Sequence, residues 1–311
     1  MAGVVTVAVA PAEAGMKLLQ FLEAKAGRHV PRSAVQRWIR TGQVRVDGGR
    51  AKPFQRLEAG QQVRIPPHDD APGENAGEGA GASADPKQAA PKSVRPLTIV
   101  YEDEEMVAVF KPRGLASQGG TGLTDSAADR LLAMYAGSGL SPAPVHRLDR
   151  DTTGILLAGK TFAARRRLSE LIADRAVGKT YLAWVRGVWP EDRAVTLEDL
   201  LEKAEGHDRE KVRAGSGRIA LARVRPLRRE AEATLLVVEL LTGRTHQIRV
   251  QLASRGFPIL GDRKYGSPPH PAPLLLHAWK LALPGLTLSA PPDWKGPFAV
   301  PEIAPDKPGK D

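Results

Sequence analysis

Apolar residues recur along this chain in two registers, one helical and one alternating. Leu18, Leu19 and Leu22, with Phe21, give one apolar face and predict a helix over residues 17–26. Val35, Trp38 and Ile39 give a second, with Ser33 as the expected N-cap and Gly42 as the stop. Alternation takes over at Val5, Val7 and Val9. It returns at Val44 and Val46 before the turn Asp47-Gly48-Gly49, which predicts a hairpin, and residues 61–65 read as a further strand. From residue 68 the pattern stops: Ala, Gly, Ser, Pro and acidic residues run on, with no large apolar side chain before Val94. Such a segment cannot offset the entropy of ordering it, so residues 68–94 are expected to form a flexible acidic linker.

Regular patterning resumes beyond it. Residues 97–101 and 106–110 flank an acidic turn and predict a hairpin, and Asp125 is placed to cap a helix carrying Leu131, Leu132 and Tyr135. Strands are expected at 154–158, 180–185, 234–241 and 274–283, and helices at 163–173 and around Ile248 and Leu252. Strands and helices do not alternate strictly. The expected class is therefore α+β: a small αβ unit (residues 1–67), the linker (68–94), and a larger unit (95–311) with a mixed or antiparallel sheet.

Composition narrows the chemistry. A chain of 311 residues can bury two cores, and the absence of cysteine excludes disulfides, thiol catalysis and cysteine-ligated zinc. No apolar run is long enough to predict a membrane span. The first basic residue is Lys17, later than a signal peptide requires, so a cytoplasmic location is expected. The net charge of +10 is concentrated at the start, with 11 basic and 4 acidic residues in 1–67. There Arg32, Arg37, Arg40, Arg45, Arg50 and Lys52 fall around the second helix and hairpin with almost no acids between them. A solvated basic face is the plain reading; the shortage of acids favours a phosphate-binding surface.

The run His146-Arg147-Leu148-Asp149-Arg150-Asp151-Thr152-Thr153-Gly154 sets charges and hydroxyls directly against the apolar Ile155-Leu156-Leu157-Ala158. A turn satisfied by its own Asp and Thr side chains is one reading. A metal site on His146, His246, His277 and Asp149 is another, although the spacing fits no familiar ligand signature. A serine hydrolase lacks its Gly-x-Ser-x-Gly elbow. A carboxylate catalyst needs only an ionised Asp, a cation to keep it so and a pocket that excludes water. Asp149 and the nearby arginines meet the first two needs.

Longer blocks bear on the choice. Residues 30–48 (Val-Pro-Arg-Ser-Ala-Val-Gln-Arg-Trp-Ile-Arg-Thr-Gly-Gln-Val-Arg-Val-Asp-Gly), with Gly15-Met16-Lys17-Leu18 and residues 57–66, resemble an S4 RNA-binding domain, apart from Leu19 where related domains often carry Asp. Phe110-Lys111-Pro112-Arg113-Gly114-Leu115, the run 146–154, Lys179-Thr180-Tyr181-Leu182-Ala183-Trp184-Val185-Arg186-Gly187, residues 242–250 and residues 258–266 resemble, in order, the RluA-type pseudouridine synthases. With Gln118-Gly119-Gly120-Thr121-Gly122 the arrangement is most similar to the RluC and RluD subgroup. Thr153 stands where Ser is common.

The resemblance implies an RNA pseudouridine synthase acting on large-subunit ribosomal RNA without a cofactor or metal. Asp149 would be the essential catalyst, Arg249 its ionic partner, and Tyr181 the ring over the target base. Arg147 would fill the gap left by the flipped nucleotide. Whether Asp149 engages C1′ or the base is left open by the sequence. The N-terminal unit, through Arg32, Arg37, Arg40, Arg45 and Lys52, would supply affinity for RNA rather than chemistry. His146, His246 and Gln247 are expected to act as scaffold. A monomer without an obligate protein partner is the simplest expectation. Transfer RNA as substrate and a non-catalytic ribosome-assembly factor are the competing readings.

Overall fold

The computed structural model describes residues 4–26, 30, 32–52, 54–67, 95–119, 125–203, 212–215, 217–266 and 271–300. The expected linker at 68–94 lies outside them, as do Gly120, Thr121 and Gly122.

The N-terminal elements are β1 (Val5–Ala8), α1 (Leu18–Lys25), α2 (Arg32–Arg40), β2 (Arg45–Val46), β3 (Gly49–Arg50) and β4 (Gln62–Ile65). The strands form one antiparallel sheet in the order β1-β4-β2-β3. Asp47 and Gly48 both take positive φ, +49° and +77°. A two-residue hairpin turn requires this, because it matches the twist of the flanking strands. Leu18, Phe21, Leu22, Val35, Ile39, Val44, Leu57 and Val63 close the core. One expectation is corrected: α2 begins at Arg32, so Ser33 lies inside its first turn rather than capping it.

The larger unit runs β5 (Thr98–Glu102), β6 (Met106–Lys111), α3 (Ala127–Met134), β7 (Ala143–Pro144), β8 (Thr153–Gly159), α4 (Phe162–Ala173), β9 (Gly178–Arg186), β10 (Val195–Lys203), β11 (Val212–Ala214), β12 (Arg218–Arg229), β13 (Ala233–Leu240), α5 (Gln247–Ala253), β14 (Leu276–Leu283) and β15 (Leu286–Ser289). Its mixed sheet has the order β11-β10-β12-β13-β9-β14-β8-β6-β5, with β7 beside β8 and β15 beside β14. Every named pairing is antiparallel except β14 with β8.

Central strands are buried on both faces. Leu156 and Ala158 of β8 pack with Leu131, Tyr181, Ile248 and Leu252, whereas Ile155 and Leu157 pack with Leu168, Leu281 and Leu283. The helix at 127–134 is capped by Ser126, whose hydroxyl accepts from the Asp129 N–H at 3.3 Å. Asp125 pairs instead with Arg130 at 2.6 Å. Strands β10, β11 and β12 were not expected from the pattern. In β12 the buried positions are the small Ala220, Ala222 and Val224, interleaved with Arg218, Arg223 and Arg225, which gives little apolar contrast.

The parallel junction of β8 and β14 has no room for error. Gly154 has φ +115°, and a Cβ there would lie 2.2 Å from the Ala278 carbonyl oxygen. Beside it the His277 Nε2–H donates to the Ala290 carbonyl at 2.8 Å, so Nδ1 accepts from the Thr153 hydroxyl at 2.7 Å. His277 is fully buried, and burial lowers its pKa to about 4.

Gly154→Ala is expected to cost about 3–5 kcal/mol in urea unfolding followed by tryptophan fluorescence, because both the conformation and the space forbid a side chain. A loss under 1 kcal/mol would contradict the junction. The neutral His277 contributes stability that is complete above its unfolded pKa of about 6.5 and is lost as pH falls toward its folded value of about 4. By linkage this amounts to about 2 kcal/mol at pH 5 relative to pH 7.5. A wild-type pH dependence no steeper than that of His277→Asn over the same range would disprove it.

Candidate active site

The loop before β8 is held rigidly by the segment that follows β6. Lys111 is fully buried, and its ammonium donates to the carbonyls of Pro112, Leu115 and Arg150 at 3.0, 2.8 and 2.9 Å. Burial lowers its pKa to about 8 against the opposing charges of Asp151 and Asp149. The Ser117 hydroxyl accepts from the Leu148 N–H and donates to the Leu148 carbonyl, both at 2.9 Å. The Arg150 Nε–H donates to the Gly114 carbonyl, and His146 Nε2 accepts from the Leu157 N–H at 3.0 Å. His146 is held neutral, its pKa lowered to about 4 by burial and by the charge of Lys179. Leu148 is driven into the core, which turns its neighbour Asp149 toward the cavity side.

From the other side comes α5. It starts from His246 in the left-handed conformation (φ +53°) and is pinned to the sheet by two buried glutamines. Gln247 Oε1 accepts from the Thr242 hydroxyl and the Arg244 N–H, and its Nε2 donates to the Leu221 carbonyl. Gln251 Nε2 donates to Asp199 at 2.8 Å and to the Ala220 carbonyl at 3.1 Å. Between the two glutamines, Arg249 is buried. Its Nε and Nη2 each donate to the Asp262 carboxylate at 2.8 Å, and its Nη1 donates to Asp149 Oδ2 at 3.1 Å. Burial works against the Arg249 charge, but Asp262 and Asp149 together raise its pKa. Tyr265 covers the guanidinium, 5.1 Å from its ring centre, and its hydroxyl lies 2.7 Å from His246 Nδ1.

Asp149 stands where two cavities meet. The smaller, of about 440 Å³, is lined by Arg147, Asp149, Thr152, Arg175, Lys179, Tyr181, Arg244 and Arg249 among others. The wider groove, of about 1070 Å³, shares Arg147, Asp149, His246 and Arg249 and continues past Gln118 and Asp262–Lys264. Tyr181 is buried on β9, and burial together with the Asp149 charge raises its pKa. Its phenol is therefore neutral at pH 7. The Thr152 hydroxyl is buried with no hydrogen-bond partner among the described residues.

Asp149, Arg249, Tyr181 and Arg147 are thus brought together from three stretches of sequence. His146, His277 and His246 do not converge on one point, although His246 Nε2 lies 3.9 Å from Asp149 Oδ2. The first two spend ring nitrogens on Leu157 and on Thr153 and Ala290, and the third packs on Tyr265. Among the described residues, no three His, Asp or Glu side chains are placed to share a metal ion. In the N-terminal unit, Arg37, Arg40, Arg50 and Lys52 line a separate cleft of about 670 Å³ with Leu19 and the exposed Phe54. Arg45 lies on β2 opposite Arg50 and Arg64, and the side chain of Arg32 lies outside the described set. Asp262 and Lys111 were missed as parts of the site. Lys111, set between Phe110 and Pro112, was marked by its family-like block, whereas Asp262, followed directly by Arg263 and Lys264, carries no local signal of its pairing with Arg249.

Two family models match the chain. That of the RNA pseudouridylate synthases covers residues 105–254, which carry this cavity, and that of the S4 domain covers residues 16–63. Fold and site therefore define an RNA-modifying enzyme with an appended RNA-binding domain. The chain is 39% identical over 264 residues to ribosomal large subunit pseudouridine synthase C of Salmonella typhimurium, spanning 84% of this chain and 79% of that protein. It is 38% identical to the protein of the same name from Escherichia coli K12 over the same shares. Among solved structures, human RNA pseudouridylate synthase domain containing 1 superposes with a TM-score of 0.55 at 26% identity, over 66% of this chain and 86% of that one. Human RNA pseudouridylate synthase domain containing 4 does so with 0.53 at 25%, over 62% and 87%. The chain belongs to the RNA pseudouridylate synthase family.

The two carboxylates on Arg249 differ in what they hold up. Asp262→Asn leaves a buried guanidinium without its bidentate partner and is expected to cost about 3–5 kcal/mol. Asp149→Asn leaves that pair intact and is expected to cost no more than about 1.5 kcal/mol. Calorimetric melts of the two proteins check the order, and equal losses would refute it.

Proposed function

We propose that this chain isomerises specific uridines of large-subunit ribosomal RNA to pseudouridine, with Asp149, Tyr181 and Arg249 as the working residues. The observation that carries the reading is the placement of Asp149. It is the one acidic side chain lining the smaller cavity among the described residues, held at 3.1 Å by Arg249 and set near Tyr181 in an otherwise cationic wall. The reaction breaks the N1 to C1′ bond, turns the uracil and joins C5 to C1′; the C5 proton is lost and N1 regains one. No electrons enter or leave. Positive charge developing at C1′ is offset by the Asp149 carboxylate, and Arg249 fixes that carboxylate's position. Tyr181 offers a stacking face and a neutral hydroxyl rather than a phenolate. Arg147, on the wall shared by both cavities, is placed to occupy the gap in the RNA stack when the uridine swings into the smaller one.

Ribosomal RNA is favoured over transfer RNA by the names of the relatives, which are large-subunit synthases. The chain divides, on this reading, into an RNA-gripping unit (1–67), a linker (68–94) and a catalytic unit (95–311). Phosphate contacts come from Arg32, Arg37, Arg40, Arg45 and Lys52, and the protein works as a cytoplasmic monomer.

Chemical mapping of pseudouridine in ribosomal and transfer RNA from cells lacking the protein tests the reading. Sites in large-subunit RNA are expected to vanish and to return with purified wild type but not with Asp149→Asn. Loss confined to transfer RNA would overturn the substrate, and an unchanged map would overturn the activity.

A further inference from the structure

The smaller cavity holds more positive charge than the chemistry above uses. Lys179 stands two residues before Tyr181 on β9, so both side chains leave the same face of the strand. Its ammonium reaches the turn between β13 and α5, where a Cβ on Gly243 would lie 3.7 Å from Nζ. Lys179 is half-buried, and no hydrogen bond or ion pair to it is found among the described residues. Burial lowers its pKa and no acid opposes the shift. A desolvated cation without a partner costs stability, so its retention asks for an anion that arrives later.

Two further cations flank it. Arg175 follows the C-cap of α4 at φ +60°, a position where glycine is the usual occupant, and it lines the same cavity. Arg244 is anchored by its Nε–H to the Ile219 carbonyl at 3.0 Å and lines the cavity as well. The cavity's acid, Asp149, is already engaged by Arg249. Three cations from three elements therefore share one concave wall with no acid assigned to them. Uracil is neutral, so the anion that enters with a uridine is its phosphodiester.

We propose that Lys179, flanked by Arg175 and Arg244, forms a phosphate subsite that grips a backbone phosphate next to the flipped uridine; this rests on the synthase reading above. Lys179 is thereby a substrate-binding residue that fixes how deeply the nucleotide enters, and Gly243 leaves the space in which the phosphate and the ammonium meet.

The test crosses a protein change with an RNA change. The mapped target RNA is prepared with a neutral methylphosphonate at the linkage 5′ or 3′ of the target uridine, and Lys179→Met and Lys179→Arg are compared with wild type. At one linkage the neutral substitution is expected to cost wild type about 10- to 100-fold in kcat/KM, the size of one charge-assisted hydrogen bond. Lys179→Met should show that loss on normal RNA and no further loss on the neutral linkage, Lys179→Arg should retain most activity, and Lys179→Met should melt at or above the wild-type temperature. Losses that multiply at both linkages, or an unchanged kcat/KM in Lys179→Met, would overturn the subsite; a multiplicative loss would assign Lys179 to the base instead. Should wild type convert no uridine, the synthase reading fails separately. Binding of a uridine-containing RNA pentamer with phosphodiester or methylphosphonate backbone then still decides the subsite, since an equal loss for wild type and Lys179→Met overturns it.

Discussion

Everything at this site depends on how one buried guanidinium divides its hydrogen bonds. Arg249 gives Nε and Nη2 to Asp262 in the planar two-pronged geometry that suits a carboxylate. That pair settles most of the cost of burying the charge, and Asp262 is itself held by the N–H groups of Lys264 and Tyr265. Only Nη1 remains for Asp149. The consequence is an asymmetric triad in which one acid is structural and closed while the other keeps an oxygen toward the cavity. A lysine in place of Arg249 would bring a point charge and no fork, so it would have to choose between the two acids.

The same economy of polar groups fixes the approach of each element to that guanidinium. The loop that carries Asp149 is an irregular segment between β7 and β8, and irregular backbone near a core leaves donors and acceptors to satisfy. Lys111 and Ser117 satisfy them from outside the loop, and Gln247 and Gln251 do the same for the helix on the far side. Each of these side chains is buried and each makes several bonds, so the loop and α5 have one mutual position rather than a range. Preorganisation of this kind lets a carboxylate act without waiting for the protein to move.

How much of this could be read in the sequence follows from where the information lies. Long apolar registers such as 17–26, 154–158 and 180–185 were legible because their burial is nearly complete and local. The strand Arg218–Arg229 was not, since its buried positions are Ala220, Ala222 and Val224 while the alternate ones mix Ile219 and Leu221 with Arg223 and Arg225, and only pairing with β10 and β13 makes it a strand. Asp149 was legible from crowded charge against an apolar strand, and Arg249 from the family resemblance of its block, with Ile248 and Val250 on either side arguing against a surface charge. Asp262 stands 13 residues further on, and its role exists only in three dimensions. The cap at Ser126 rather than Asp125 turned on one residue of register, which composition does not resolve when both residues are good caps.

Charge in this molecule is handled in two ways. Arg249, Arg130 and Arg255 are neutralised in place by Asp262, Asp125 and Asp199, and these pairs belong to the fold. Lys179 has no such partner among the described residues, and Arg175 is set in a backbone conformation that a smaller residue would take more readily. A protein selected for stability alone would pair the first and replace the second with glycine. Both lie on the cavity that holds Asp149, where an incoming polyanion supplies what the fold withholds. Under the proposed phosphate subsite, the stability given up in burying Lys179 returns as differential affinity when RNA binds, and only for a nucleotide that carries its phosphate to the depth at which C1′ meets Asp149.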